Sequence, residues 1–577
     1  MSPQVSWANR ILFLLIAWTL PCLTRVAAQT WCGKNYRKDQ PITPPEGAFE
    51  TLEELSAPQL AFQCAPRMHI YLESDDCDAA SIILDTLVTF TRLRYSWPLP
   101  DSFDTLDPSN FSLHVDIGEE RSSFSNVLFN ATNIEIPVSL CSLQPRLEPY
   151  AVRCTLSLGQ EKSYTSTTSL SYLPRHHFGS VTTIDRKTGA MLVKTTGREY
   201  KPIFPIGFYT DFGGYLASNL SILDEIKEQG FNVVHPVPPF GDQAVFEAML
   251  DYLDDIGLYL IVHVHSSYRD LEEVAREVKA IRHRKSLLLW YTADEPDGHG
   301  HPFDAARKAY EVVNNLDQYH PVSIALNCAD YFFEEYTSGA DIIMHDVYSF
   351  GNNVTFSSKY DTPCTTDFGC CGCDNCIGNL EDTSKRLDDA SRRLKVMGWE
   401  KTKFNWAVPQ AFGGEEFWAR PPTGKEWLAQ TLLSINHGAR GVIPWIDPTP
   451  VDIKHCASRL ALTLPRIATF LFDENVIFKH FTYGRIDTGT WTKGHETLFV
   501  AINLDDEYAA EYDFLGRQQR QSLKWLINEG VSNNTMGHLS FEPSASAIFV
   551  TFRIRTAHSN ERSEASGDVR LVEHDEL

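Results

Sequence analysis

Between Pro202 and Trp445 the chain repeats one unit, an amphipathic helical stretch, a glycine and a short apolar run, and nothing else limits its possible folds as strongly. The apolar runs are Ile203 to Tyr209, Phe231 to Val237, Leu258 to Val264, Leu287 to Thr292, Val322 to Asn327, Asp341 to Tyr348, Phe404 to Val408 and Gly441 to Trp445. Runs of this length and character suit strands covered on both faces of a parallel sheet. Between them, Val245, Phe246, Met249, Leu250 and Leu253 share one helical face, and Leu387, Ala390, Leu394 and Met397 share another. Gly230, Gly257 and Gly398 stand where a helix needs a left-handed cap. Eight such strands predict an α/β protein built on a (β/α)8 TIM barrel. A doubly wound sheet would need a glycine-rich phosphate loop, which is absent.

The flanks read as β modules. From Trp31 to Pro174, runs such as Met68 to Leu72, Ser112 to Ile117, Ile134 to Val138, Tyr150 to Leu158 and Thr168 to Leu173 alternate or are β-rich, with turn residues between them at sandwich-like spacing. GSVTTIDRKTGAMLVK, Gly179 to Lys194, has a hairpin pattern about Asp185 to Gly189. Asn475 to Ile554 returns to strand character. The expected organisation is a signal peptide over 1–28, an N-terminal β-sandwich-like domain over 29–200, the barrel over 201–473, a C-terminal β domain over 474–556 and a flexible tail over 557–577. A chain of 577 residues exceeds what one core holds.

Targeting features point to the secretory pathway. Arg10, the apolar run Ile11 to Leu20 and Val26-Ala27-Ala28 form a signal-peptide pattern. The run is too short to span a bilayer, and no transmembrane span is expected in the mature chain. His574-Asp575-Glu576-Leu577 is the HDEL retrieval tetrapeptide, so the HDEL receptor is an expected partner and the endoplasmic reticulum lumen the expected location, with secretion the alternative. Sequons at Asn110, Asn130, Asn219, Asn353 and Asn533 predict a glycoprotein. Of 13 cysteines, Cys22 leaves with the signal peptide, and the other twelve are expected to be able to pair in an oxidising lumen. Cys64 with Cys77 and Cys141 with Cys154 are plausible local pairs, although spacing does not decide connectivity. The cluster Cys364, Cys370, Cys371, Cys373 and Cys376 suits either disulfides, with Cys328 a further candidate, or zinc; the compartment favours disulfides. A formal charge of −24 argues against nucleic-acid partners.

The chemistry concentrates in LLLWYTADEPDG, Leu287 to Gly298. Asp294 and Glu295 stand where the fourth strand leaves the sheet, the end at which barrel enzymes keep their active sites. The same two acids can also merely cap the following turn. Other strand ends carry Tyr209, His235, His263 with His265, Tyr291, Asn327, Asp346 with Tyr348, Gln410, and Trp445 with Asp447. Acids, amides and aromatics on one face suit a hydroxyl-rich ligand, which needs hydrogen bonds at its edges and stacking on its faces. His235 also fits a hydrogen-bonded core histidine, and Asp346 and Asp447 also fit loop anchors. His263 and His265 lack a third ligand at a recognisable spacing, so no metal and no cofactor is expected there. Glu415 and Glu416 follow the seventh strand and fit pocket or solvent equally.

Over roughly Pro202 to Phe472 the chain resembles the barrels of glycoside hydrolases. Through YTADEPDG, CCGCDNC, VPQAFGG and NHGARGVIPW it is similar to uncharacterised fungal glycoside-hydrolase-like secretory proteins. Resemblance to the clan with glutamates ending strands four and seven implies Glu295 as acid/base, but Gln410 stands where the nucleophile belongs. Asp-Glu-Pro is also similar to hexosaminidases that use the substrate's own 2-acetamido group. That likeness implies Glu295 as proton donor, Asp294 as the group orienting the acetamido nitrogen, and no protein nucleophile. The expectation is a retaining glycosidase acting on glycans or cell-wall polysaccharide, with a non-catalytic glycan-binding or glycan-assembly protein as the alternative.

Overall fold

In the computed structural model, residues 30–101, 103, 111–159, 162–195, 197–264, 267–512, 523–533 and 538–552 are described. The expected signal peptide, the HDEL tail, the Asn110 sequon and His265 lie outside them.

Seven parallel strands form the central sheet in sequence order: β1 (Gly207–Asp211), β2 (Val233–Val237), β3 (Tyr259–His263), β4 (Leu287–Asp294), β5 (Val322–Leu326), β6 (Ile342–Val347) and β7 (Phe404–Pro409). Helices alternate with them: α1 (Ile222–Glu228), α2 (Gln243–Ile256), α3 (Leu271–Ile281), α4 (Ala305–Leu316), α5 (Phe333–Thr337), α6 (Glu381–Met397), α7 (Gly424–Asn436) and α8 (Val451–Leu471). Segment 441–447 joins the two sheet edges through single bridges. Ala407 and Gln410 pair with Val442 and Trp445, while Ile206 and Thr210 pair with Val442 and Asp447. Pro444 interrupts this eighth ladder because it has no N–H to donate. The order is compatible with the barrel that the repeating unit predicts.

Local chemistry accounts for the helix ends. Asp242 accepts the Ala244 and Val245 amides to start α2, and Gly257 at φ 72° ends it. Thr423 and Glu426 form a reciprocal capping box on α7. Outward strand residues such as Trp290 and Ile343 pack with helix residues Val313 and Trp427 in one large core. Inward residues Ile261, Leu289, Ile342 and Trp406 form a second core inside the sheet. Trp290, Trp406 and Trp427 are fully buried, each worth roughly 5 kcal/mol of transfer free energy.

The hairpin of Ser180–Asp185 and Ala190–Thr195 forms as expected, with the Gly189 amide closing on the Asp185 carbonyl at 2.7 Å. Its Ile184, Met191 and Val193 enter the inner core and plug the base of the sheet. Ahead of it lie two four-stranded antiparallel sheets that share one apolar cluster containing Phe62, Leu84, Leu113 and Leu156. The C-terminal strands form an antiparallel sheet whose Leu498, Val500 and Ile548 join the core of α7 and α8.

The disulfides correct the local pairing. Cys64 bonds Cys154 and Cys77 bonds Cys141, because sequence-distant strands bring these residues together. Cys328 bonds Cys32, and the cluster forms Cys364–Cys371 and Cys373–Cys376. Cys370 and Cys456 are free, so five pairs form among the described residues and not six. These bridges fit a secreted or lumenal protein. No helix of the described residues is long and apolar enough to cross a membrane.

Candidate active site

β4 carries the acids, and its irregular pairing aims them. Its register with β5 shifts between Tyr291 and Ala293, so Thr292 is an extra residue on the strand. A bulge of this kind reverses the side-chain alternation beyond it. Ala293 therefore packs outward, and Asp294 joins Tyr291 on the inner face, where the Tyr291 hydroxyl donates to Asp294 Oδ1 at 2.5 Å. Glu295 then adopts φ 44°, in the left-handed region. For a residue with a Cβ this conformation costs about 1–2 kcal/mol. The turn points the Glu295 carboxyl toward the ends of β5 and β6, where Asn327 Nδ2 donates to Oε1 at 2.7 Å.

Glu295 also hydrogen-bonds the Asp346 carboxyl, and two carboxyls so joined must share a proton. Burial, then the neighbouring Asp294 and Asp297, push the Glu295 carboxyl up to about 8, against the opposing bonds from Asp346 and Asn327. Burial and Glu295 raise Asp346 well above the carboxylate range. Asp297 is held at about 6, raised by burial and restrained by the amides of Cys328, Gly298 and Asn327. Among the described residues no lysine or arginine forms an ion pair with Asp294, Glu295 or Asp346. Glu295 keeps some exposed surface while burial and its acidic neighbours disfavour ionisation of its carboxyl.

Beneath the acids lies an aromatic and imidazole floor. Tyr209 packs on His235 at 4.1 Å and against Trp445 at 5.0 Å. His235 Nε2 and His263 Nδ1 are 2.9 Å apart, and His263 stacks on Tyr291 at 5.2 Å. Tyr209, His235, His263, Tyr291 and Tyr348 are all buried, so they shape the floor more than they offer surface. His235 is thus the hydrogen-bonded core histidine that its strand position allowed. Trp445 is half-buried, and the bond that follows it, to Ile446, is cis.

Two strand-end residues are consumed by the scaffold. Gln410 is 0% exposed. Its Oε1 accepts the Phe350 amide at 2.9 Å, and its Nε2 donates to the Phe350 and Phe412 carbonyls at 3.0 and 3.1 Å. No polar hydrogen is left for a ligand, which corrects its expected place among substrate contacts. Asp447 is buried and forms an ion pair with Lys454 at 2.7 Å, and it accepts the Thr449 amide at 3.2 Å. It anchors a loop and is likewise corrected. Glu415 and Glu416 are exposed, the latter paired with Lys359 at 2.6 Å.

The walls hold what sequence reasoning missed. Trp31, half-buried, donates from Nε1 to Asn327 Oδ1 at 2.9 Å and meets His299 edge-on at 5.0 Å. The bridge from Cys32 to Cys328 pins it there, immediately beyond Asn327. Asn327 therefore links Trp31 to Glu295. Lys34 forms an ion pair with Asp374 in the cysteine-rich loop, which joins the N-terminal strand pair to this face. Trp418, also half-buried, donates to the Tyr348 carbonyl at 2.8 Å and packs on Phe412 at 4.8 Å. Trp31 lies 296 residues from its partner, and no local pattern marks it. Asp297 was visible only as part of DEPDG, and its acceptance of three amides is a tertiary fact.

No protein-family model matches the sequence, and no curated protein matches it. Solved structures similar to this chain include glycoside hydrolases. One is a family 39 glycoside hydrolase from Bacteroides cellulosilyticus WH2, at 13% identity and TM-score 0.40 over 85% of this chain and 100% of that one. Another is α-galactosidase I from Mortierella vinacea, at 9% identity and TM-score 0.37 over 60% of this chain and 97% of that one. A third is a β-glucuronidase from Ruminococcus gnavus, at 10% identity and TM-score 0.31 over 68% of this chain and 61% of that one.

Proposed function

We propose that this chain is a glycoside hydrolase of the secretory pathway, with Glu295 as acid/base and the 2-acetamido group of the substrate as nucleophile. One observation carries the reading: the Glu295 carboxyl is desolvated among acids, forms no ion pair among the described residues, and is pushed up to about 8. An acid kept protonated at neutral pH is what protonation of a glycosidic oxygen requires. In the proposed reaction Glu295 gives its proton to the leaving oxygen. The acetamido carbonyl oxygen closes on the anomeric carbon as the C–O bond breaks. Asp294, aligned by the Tyr291 hydroxyl, accepts the acetamido N–H. Water then opens the cyclic intermediate, giving its proton back to Glu295, and configuration is retained.

Substrate assistance is supported by what surrounds Glu295. Double displacement needs a second carboxyl about 5–5.5 Å away, and inversion about 6.5–9.5 Å. Asp346 is in direct hydrogen bond with Glu295, closer than either, and suits a proton-sharing partner. At the end of β7, Gln410 cannot attack. Trp31, Trp418 and Trp445 are the proposed stacking surfaces, and Tyr209, His263, His265, Tyr291, Asn327 and Tyr348 the proposed frame of the sugar subsite. The proposed architecture is a TIM barrel at 201–473 between β-sandwich-like domains at 29–200 and 474–556. The proposed compartment is the endoplasmic reticulum lumen, supported by five disulfides and the tetrapeptide His574 to Leu577.

A panel of aryl 2-acetamido-2-deoxyhexosides beside plain aryl hexosides tests this. The expected result is hydrolysis of the acetamido sugars alone. Equal rates on plain hexosides overturn substrate assistance. Glycan binding without hydrolysis of either class supports the non-catalytic alternative, which the amide at Gln410 favours.

A further inference from the structure

At the base of the barrel, far from β4's acids in sequence, a second polar cluster joins the barrel to the C-terminal sheet. His437 follows α7, His480 lies on the strand Ile477–Tyr483, and Asp487 on the adjoining strand Ile486–Lys493. Asp487 Oδ2 is 3.2 Å from His437 Nε2 and 2.7 Å from His480 Nε2. The three ligand atoms lie within 4.8 Å of one another. A tetrahedral zinc with bonds of about 2.0–2.1 Å holds its ligand atoms roughly 3.3 Å apart, which this spacing approaches.

The surroundings orient each group as a ligand. Asp388 Oδ1 lies 2.7 Å from His437 Nδ1 and Asp487 Oδ2 lies 3.2 Å from its Nε2, so both ring nitrogens face carboxylates; a metal at Nε2 would displace the proton held there while Asp388 keeps the one on Nδ1. This carboxylate–histidine arrangement is the usual support of a metal-binding imidazole. Asn436 Nδ2 donates to Asp487 Oδ1 at 2.6 Å and leaves Oδ2 for the two imidazoles. A Cβ at Gly489 would collide with the Asn436 amide, so this approach depends on the missing side chain. Small-ligand clefts run to about 300–1,000 Å³, and the one beside this cluster, lined by His437, His480, Asp487 and Asp388, measures about 920 Å³.

We propose that His437, His480 and Asp487 bind one zinc ion, which clamps the end of α7 to the C-terminal sheet and leaves its fourth position to water from the cleft. The competing arrangement is a metal-free hydrogen-bonded strut of the same three residues.

The full chain, stripped with chelator and dialysed, is titrated with zinc alone by calorimetry, and with cobalt(II) as an absorbing probe of geometry. The expected result is one zinc per chain, a tetrahedral cobalt spectrum without thiolate bands, and a higher melting temperature with metal. His480→Ala, at an exposed position, lowers affinity by about a hundredfold. Asp388→Asn, on an exposed residue, lowers it by about tenfold. His177→Ala, an exposed histidine elsewhere, leaves it unchanged. No uptake by the wild-type chain, thiolate bands from Cys370 or Cys456, or equal affinity in His480→Ala overturns the site and leaves the strut.

Discussion

The acids gathered around Glu295 and those around Glu135, at opposite ends of the central sheet, keep opposite company. At the C-terminal ends of the strands, Asp294, Glu295 and Asp297 meet neutral donors: a tyrosine hydroxyl, an asparagine amide and backbone N–H groups. At the base, Glu135 and Asp185 face Arg67 at 2.7 and 3.0 Å, and Lys187 reaches Glu135 at 2.8 Å and Glu474 at 3.3 Å. The consequences run in opposite directions. Glu295 is raised to about 8, while Glu135, despite burial, is drawn down to about 2 by Lys187, Arg67 and Ser81. Cations at the base tie the N-terminal sheets, the plug hairpin and the end of α8 into one unit. Around Glu295 no ion pair with Asp294, Glu295 or Asp346 forms among the described residues, and burial leaves Glu295 and Asp346 costly to ionise, which the proposed proton transfer requires.

Glu295→Gln is expected to break the top end while sparing the base. Turnover of an aryl acetamidohexoside falls by about a thousandfold. Stability at pH 7 stays equal or rises by about 1 kcal/mol, because a carboxyl raised in the folded state loses stability as pH climbs from 4.5 toward 8. Unchanged turnover would remove Glu295 from the chemistry.

Arg67→Ala is the reverse experiment. It strands Glu135 and Asp185 in partly buried positions and costs about 2–3 kcal/mol in denaturant unfolding, with kcat of the folded fraction intact. The wild-type chain carries the matching acid signature. Glu135's contribution is fully present above its unfolded value near 4.5, and is lost as pH falls through about 2. A variant equally stable across that window would contradict the cationic tie.

Trp31→Ala sharpens the account of the upper wall. KM rises about tenfold, roughly 1.4 kcal/mol of ligand contact, while kcat changes less; an unchanged KM places Trp31 outside the subsite. The smallest effect is on a pH profile. Activity should fall as pH rises through about 8, where Glu295 loses its proton. In Asp346→Asn an amide donor replaces the proton-sharing carboxyl, and this limb moves down by about one pH unit. A limb that stays in place separates Asp346 from the acid.

The strands of the central sheet were legible because parallel strands between helices are apolar on both faces, so Leu287 to Trp290 announce themselves without a partner. Glu54–Pro66 and Ser81–Thr91, the long strands of the N-terminal region, were not. Gln59 to Pro66 are buried throughout, since one face meets the second sheet and the other meets α6 and its loop, where Gln63 donates to Glu400 at 2.6 Å. With both faces covered and polar residues satisfied internally, neither alternation nor a clean apolar run survives. Gly441 to Trp445, read as an eighth strand, forms only isolated bridges to the sheet edges, and Pro444 has no N–H to extend them. Gln410 looked like a ligand contact because its strand end is right, and only its three bonds to backbone show it to be spent.

Sequence by itself determined the repeating strand and helix units, the helix caps, the hairpin about Asp185 to Gly189 and the position of Asp294 and Glu295 at a strand end. These follow from periodicity, turn chemistry and chain connectivity, all of which act over a few residues. Tertiary structure alone decided that Asp346 meets Glu295, that Trp31 crosses to Asn327, that Cys64 pairs with Cys154, and that Glu135 is paired with cations where Glu295 is not. Those depend on desolvation and on meetings between residues tens to hundreds of positions apart, for which a linear pattern carries no signal.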